Sequence, residues 1–240
     1  MKKYEFTGET KILNNGVILH RIKALVKIVF DSVTINVGDL GGWIEKEGNL
    51  SHEGDAWVYG DAQVYGNARV CDDAQVYGDA RVYENAWVCD NAQVYDDARV
   101  YGNTKVYRNT QVYGTARVYD DAQVYGDARV CGDARVYGDA QVYGNARVCG
   151  DARVCGDAHV YKCNHYLVVG PIGSRMDYAT FLRNKEGIIK VVCGCFYGTI
   201  NEFLAKVDQT HGNSKHAFSY RTASELARVQ IDTSEIDDSK

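Results

Sequence analysis

Between Trp57 and Ala158 a valine returns at every sixth position, and two positions ahead of nearly every valine stands an alanine. Written in register from Trp57 the segment reads WVYGDA, QVYGNA, RVCDDA, QVYGDA and onward, seventeen hexads followed by a partial eighteenth, His159-Val160-Tyr161. Thr104 and Thr110 are the two departures at the alanine position. Residues two apart on an extended chain share a side, so Ala and the next Val point into a core while the residue between them, and the Tyr or Cys after them, point out. Gly-Asp or Gly-Asn then supplies a corner, because both types tolerate left-handed backbone. Each hexad predicts one short strand and one turn. A helix is excluded, since the six-residue period lays no continuous stripe on a 3.6-residue repeat.

So short a strand cannot bury its inner side alone, and a fixed period marks a stack in which each unit leans on its neighbours. Three hexads per coil give a triangular prism with an eighteen-residue turn. The seventeen hexads make a little under six coils, and parallel strand spacing gives a rod about 27 Å long.

Val followed four positions later by Ala or Thr resembles the hexapeptide pattern of the left-handed parallel β-helix superfamily. The "GDARVYGNA" wording is most similar to its YdcK-like β-solenoid branch, over about residues 38 to 161. The resemblance implies a single-stranded left-handed parallel β-helix. Acyltransferase members often carry Gly directly after the large apolar residue; here Tyr or Cys stands there and Gly follows one step later.

Open strand edges at the ends of a solenoid need different structures to cover them. The chain is expected to divide into a β-hairpin cap (1–37), the solenoid (38–164) and a C-terminal α+β module (165–240). Asn15-Gly16 between β-rich runs predicts the hairpin. Leu40 and Leu50 read as alanine replacements in irregular first turns, and Trp43 as a plug in the first coil. Beyond Tyr161, about three strands and two helices are expected; Thr199 and Glu202 form a capping box, and Ile200, Phe203, Leu204 and Val207 share one helical face. The "IGSR", "TFLR" and "CGCF" wording here resembles a module of uncharacterised bacterial and phage proteins carrying this repeat, and a phage-encoded modulator of a host system is what that likeness implies.

Net charge is -5 and the isoelectric point about 5.7, so the global basic signal of a non-specific nucleic-acid binder is missing. "MKKYEFTGET" has no apolar run behind its lysines and no stretch reaches the length of a membrane span, which predicts a soluble, cytoplasmic chain. Six of the eight cysteines lie in or beside the repeat where neighbouring hexads carry Tyr; reduced thiols are expected there, although Cys71 above Cys89 and Cys131 above Cys149 fall within disulfide range.

Stepping eighteen residues collects Arg81, Arg99, Arg117, Arg135 and Arg153 in one file, with Tyr65, Tyr83, Tyr101, Tyr119 and Tyr137 beside it. Stacked guanidiniums repel unless partners neutralise them. Either a docked partner does so, since Arg and Tyr favour interfaces, or corner acids such as Asp121, Asp139 and Asp157 do. Residues 57 to 164 hold 14 Asp and 1 Glu against 9 Arg and 2 Lys, which favours the second. A second face carries Trp57, Gln75, Gln93, Gln111, Arg129 and Arg147, and the third Arg69, Trp87, Lys105, Gln123, Gln141 and His159. Glutamine ladders need no role beyond stacking; an outward Trp87 is a candidate contact.

Cys193-x-Cys195 on one strand face, with His211 or His216, is a weak metal pattern because structural zinc normally takes four ligands. No metal and no cofactor is expected. Acyl transfer needs a general base at a cleft and a loop leaving the coil; the hexads run unbroken, with only His52 and His159 flanking them. The reading is a non-catalytic scaffold that binds a protein, either a foreign one or a further copy assembled through the C-terminal module, along the Arg/Tyr file and Trp87. Acyl-CoA-dependent acyl transfer is the first alternative and polyanion or nucleic-acid binding along the file the second; no membrane association is expected.

Overall fold

A computed structural model describes residues 1–234. Every hexad forms a two-residue strand at its first and second positions, from Trp57–Val58 to His159–Val160, followed by a turn. Each strand pairs in parallel with the one eighteen residues on: Gln75 lies beside Gln93, Arg81 beside Arg99, and Trp87 beside Lys105. Three sheets result, one per face of a parallel β-solenoid. We call them the glutamine face (from Trp57), the arginine face (from Gln63) and the mixed face (from Arg69). The second-position valines and sixth-position alanines are sealed in the axis, all but Val70 at 0% exposure.

The fourth hexad position explains the corners. Its residue has positive φ throughout: glycines such as Gly60 and Gly138, but also Asp72, Glu84, Asp90, Asp96, Arg108 and Asp120, with φ from 55° to 62°. Left-handed backbone costs a non-glycine residue about 1–2 kcal/mol. The five acids offset this with a bond that glycine cannot make: each accepts the backbone N–H of the fourth-position residue one coil on, as Glu84 does from Gly102 (2.9 Å), Asp90 from Arg108 (3.0 Å) and Asp96 from Gly114 (3.1 Å), and likewise Asp72 and Asp120. Arg108 has no such acceptor to offer.

The arginine face extends beyond the hexads. Leu40–Ile44 pairs in parallel with Gln63–Val64, and the hairpin Tyr4–Ile12/Ile18–Ala24 continues that sheet antiparallel, giving nine strands. The first turn differs from expectation. Ile44 takes the inward valine place above Val64, so Trp43 points out, beneath Arg21 and Lys11, and does not plug the coil. Leu40 pairs with Lys23 and is 53% exposed. Leu50 is buried beside Val70, replacing Val rather than Ala.

At the far end the strands Tyr166–Ile172, Asp177–Arg183, Ile189–Cys193 and Phe196–Thr199 form an antiparallel meander, one strand more than expected. Helices α1 (Ile200–His211) and α2 (Lys215–Gln230) pack on it through Phe203, Val207, Tyr220 and Ala227. Thr199 and Glu202 make the capping box. Asp177–Arg183 lies across the last coils: Thr180 Oγ1 accepts the Arg153 N–H (3.1 Å), Asn184 donates to Asp157 (2.8 Å), and Leu182 and Val192 join the rod's core. The open edge is thereby covered. No helix among the described residues is long and apolar enough to cross a membrane.

Candidate functional site

The structure stacks Arg81, Arg99, Arg117 and Arg135 on adjacent rungs of the arginine face, each pointing outward beside its buried valine. Neutralisation by corner acids, the expectation that the charge count favoured, does not occur. Among the described residues no carboxylate lies within 4.0 Å of these four guanidiniums. Two of the three named acids have other work: Asp121 accepts from Asn103, the last step of a ladder from Asn67 through Asn85, and Asp157 takes Asn184 and Tyr197. Arg153, the fifth member, pairs with Asp177 of the C-terminal module at 3.6 Å. The free file is four long.

Unit charges one strand spacing apart repel by roughly 0.9 kcal/mol per neighbouring pair even at the dielectric of water. A row of external carboxylates would relieve that, and salt would weaken the gain because the Debye length is about 8 Å at physiological ionic strength.

Beside the arginines, Tyr65, Tyr83, Tyr101, Tyr119 and Tyr137 stack with ring centroids 4.8–5.1 Å apart and planes within 4°. Burial pushes these phenols up, Tyr83 to about 12, so they bring no negative charge to the guanidiniums. Each inner ring has both faces covered by its neighbours, leaving edges outward. Bases therefore have no ring face to stack on, which counts against the nucleic-acid reading. Matching ladders run along the other corners: Tyr59 to Tyr113, and Tyr107 to Tyr161. Only one was singled out from sequence, although Tyr or Cys fills the third position of every hexad.

Trp87 is not brought to this site. It stands 45% exposed on the mixed face, with the Arg69 guanidinium 5.7 Å from its ring centre. The glutamine face holds a groove of about 470 Å³ lined by Gln75, Gln93, Gln111 and Asn109 and overhung by Val29 and Phe30 of the small Ile28–Val29/Thr34–Ile35 hairpin. That hairpin gave no signal in the repeat pattern.

The cysteines depart from the expected reduced state at one pair. Cys131 and Cys149, on adjacent coils with Cα atoms 4.7 Å apart, are disulfide-bonded. Cys71 and Cys89 occupy the same relation as free thiols; the hydrogen bond between them raises the Cys71 thiol and lowers that of Cys89. With Asp72 they are the one cluster of three possible metal ligands among the described residues, yet Asp72 already accepts from the Asp90 backbone. Cys193 and Cys195 do not share a strand face. Gly194 and Cys195 form the two-residue turn between paired Cys193 and Phe196, with φ of 60° at Gly194, as a hairpin with Gly at the first turn position prefers. Both cysteines nevertheless line one cavity of about 420 Å³, with Phe196, Phe203, His211 and Tyr220.

The two histidines considered for acyl transfer sit in packed surroundings. His52 Nδ1 accepts the Lys3 backbone N–H (3.1 Å) and its ring stacks on Tyr4 at 4.4 Å; burial lowers its pKa. His159 meets Tyr143 edge-on. No loop leaves the coil between Trp57 and Val160.

The YdcK β-solenoid repeat matches residues 62–73, 74–90, 92–108, 122–138, 128–144, 140–156 and 146–162. The longer matches span one three-hexad coil each, and the overlapping ones differ by whole hexads. The rod is built of YdcK β-solenoid repeats. Arg81, Arg99 and Arg135 lie within matched segments, whereas Arg117, the hairpin cap and the C-terminal module lie outside them. No curated protein matches the chain.

Proposed function

We propose that this YdcK-repeat chain is a non-catalytic scaffold that docks an acidic protein surface along Arg81, Arg99, Arg117 and Arg135, with the edges of Tyr83, Tyr101 and Tyr119 alongside. The observation that carries the reading is the row of four consecutive guanidiniums without a carboxylate within ion-pair distance among the described residues. Acid-bearing corners flank that row, Asp79 and Asp97 on one side, Glu84 and Asp120 on the other. They disfavour a continuous phosphate backbone and suit a partner that brings its own alternating charges. Coils without an excursion, and a His52 occupied in packing, weigh against acyl transfer.

The test uses fluorescent poly-glutamate as the probe, followed by anisotropy. Saturable binding that weakens with salt and is lost when the four arginines become Gln supports the reading. Equal binding by that variant overturns it.

A second surface is carried by α2, whose outer row exposes Phe218 (70%), Leu226 (45%) and Val229 (80%). It suits assembly through the C-terminal module. Phe218→Ser with Val229→Ser reducing the solution mass would support this, and an unchanged mass would exclude it.

A further inference from the structure

We infer that the partner of the arginine face is the same face of a second copy of this chain, the two rods lying side by side with parallel axes. This rests on reading the face as a protein-docking surface, and it names what docks. The first ground is a second charged row. Two residues before each strand of this face stands the corner residue of the preceding hexad, and up the rod these are Asp61, ahead of Gln63, and then Asp79, Asp97, Thr115, Asp133 and Asp151, ahead of the arginines. All are exposed. Asp61 is engaged by Arg21 and Trp43, and Asp133 by Thr115. Asp79, Asp97 and Asp151 make no side-chain hydrogen bond or ion pair with each other or with the arginine row among the described residues. One face therefore carries an acidic row and a basic row that do not satisfy each other.

The period supplies the second ground. Both rows repeat with the coil, about 4.8 Å. A row with that repeat is matched along its length by another row of the same repeat, which stacked coils of a further copy possess. A globular partner with acids at irregular spacing would engage one or two of the arginines.

Symmetry supplies the third. Viewed from outside with the N-terminal end down, the acidic row lies to one side of the arginines. When two such faces meet with parallel axes, the left of one opposes the right of the other, so each basic row meets the other copy's acidic row. The rungs match without a shift under a two-fold axis along the rods: Arg81 opposes Asp79, Arg99 opposes Asp97, Arg135 opposes Asp133, and Arg117 opposes Thr115. The contact is isologous and closed. Antiparallel axes would set arginine against arginine.

Six rungs and four or five residues of strand width give roughly 900 Å² of total contact, the size of a weak, transient association. The dimer is therefore concentration-dependent and sensitive to salt.

Two charge-reversed chains test the pairing. One carries Arg81→Asp with Arg99→Asp, the other Asp79→Arg with Asp97→Arg, and both are checked for folding by their melting curves. Mass is measured by sedimentation equilibrium at tens of micromolar and low salt. The wild type is expected to sediment toward a dimer, each reversed chain alone as a monomer, and their equimolar mixture as a dimer again, because reversed rows face reversed rows and native rows face native ones. Reversed chains that keep the wild-type mass, or a mixture that stays monomeric, would overturn the inference. If poly-glutamate binding still depends on the four arginines in that case, the docking face stands and its partner is foreign. If that dependence is missing too, both readings fail.

Discussion

Two threonines replace alanine in the core, and they predict opposite responses to one substitution. Thr104 and Thr110 are both fully buried. The Thr110 hydroxyl turns back and donates to the Tyr107 carbonyl at 2.8 Å. The Thr104 hydroxyl has no hydrogen-bond partner. A buried polar group without a partner costs about 1–3 kcal/mol, whereas a made hydrogen bond contributes about 0.5–1.5 kcal/mol. Valine keeps the shape of threonine and drops only the hydroxyl. Thr104→Val is therefore expected to stabilise the rod by about 1–3 kcal/mol, and Thr110→Val to destabilise it by about 1 kcal/mol, because the Tyr107 carbonyl loses its donor. The assay is urea unfolding by circular dichroism, read as the shift of the midpoint, since a repeat array need not unfold in one step. Identical shifts for the two variants would refute the reasoning, as would a loss of stability in Thr104→Val.

Arg108 holds positive φ without the acceptor that its acidic counterparts provide, so Arg108→Gly is expected to raise the urea midpoint, by up to about 1 kcal/mol after the entropy cost of glycine; a lowered midpoint would count against the corner argument. His165 is buried, and desolvation first, then the nearby Arg183, lowers its pKa from 6.5 to about 4. Its neutral form is the folded one, so the unfolded chain takes up a proton first as pH falls, and the stability His165 contributes is lost between about 6.5 and 4. Melting curves of wild type and His165→Gln should differ in slope over that interval and run parallel below it; equal slopes throughout would contradict the assignment. Alkylation of the unfolded chain should label six cysteines before reduction and all eight after it; eight before reduction would show that Cys131 and Cys149 are not bonded.

The rod was legible because its code is local: Ala and Val two apart, a left-handed corner, and a period of eighteen once three hexads close a coil. Register followed from that period alone, so the files of Arg81 to Arg135 could be read before any coordinates. What the arginines touch was not legible, since fifteen acids in the same stretch gave no sign that five of them would turn toward backbone N–H groups on the next coil. The ends resisted for a related reason. Outside the repeat each residue's place depends on tertiary contacts, and Trp43, Leu40 and Leu50 sit where pairing with Gln63, Lys23 and Val70 puts them. Arg153 fits the file by period, and only the fold of the C-terminal module assigns it to Asp177. The bond between Cys131 and Cys149 depends on side-chain geometry within a column that sequence alone identified.

The most direct test of the account is the mass of the full chain by light scattering across a salt series, beside a variant in which Arg81, Arg99, Arg117 and Arg135 are all Gln. Pairing of the arginine faces of two copies predicts a wild-type mass that rises at low salt toward twice the 26.7 kDa chain and falls as salt is added, with the variant monomeric throughout. A variant that follows the wild-type curve would contradict it.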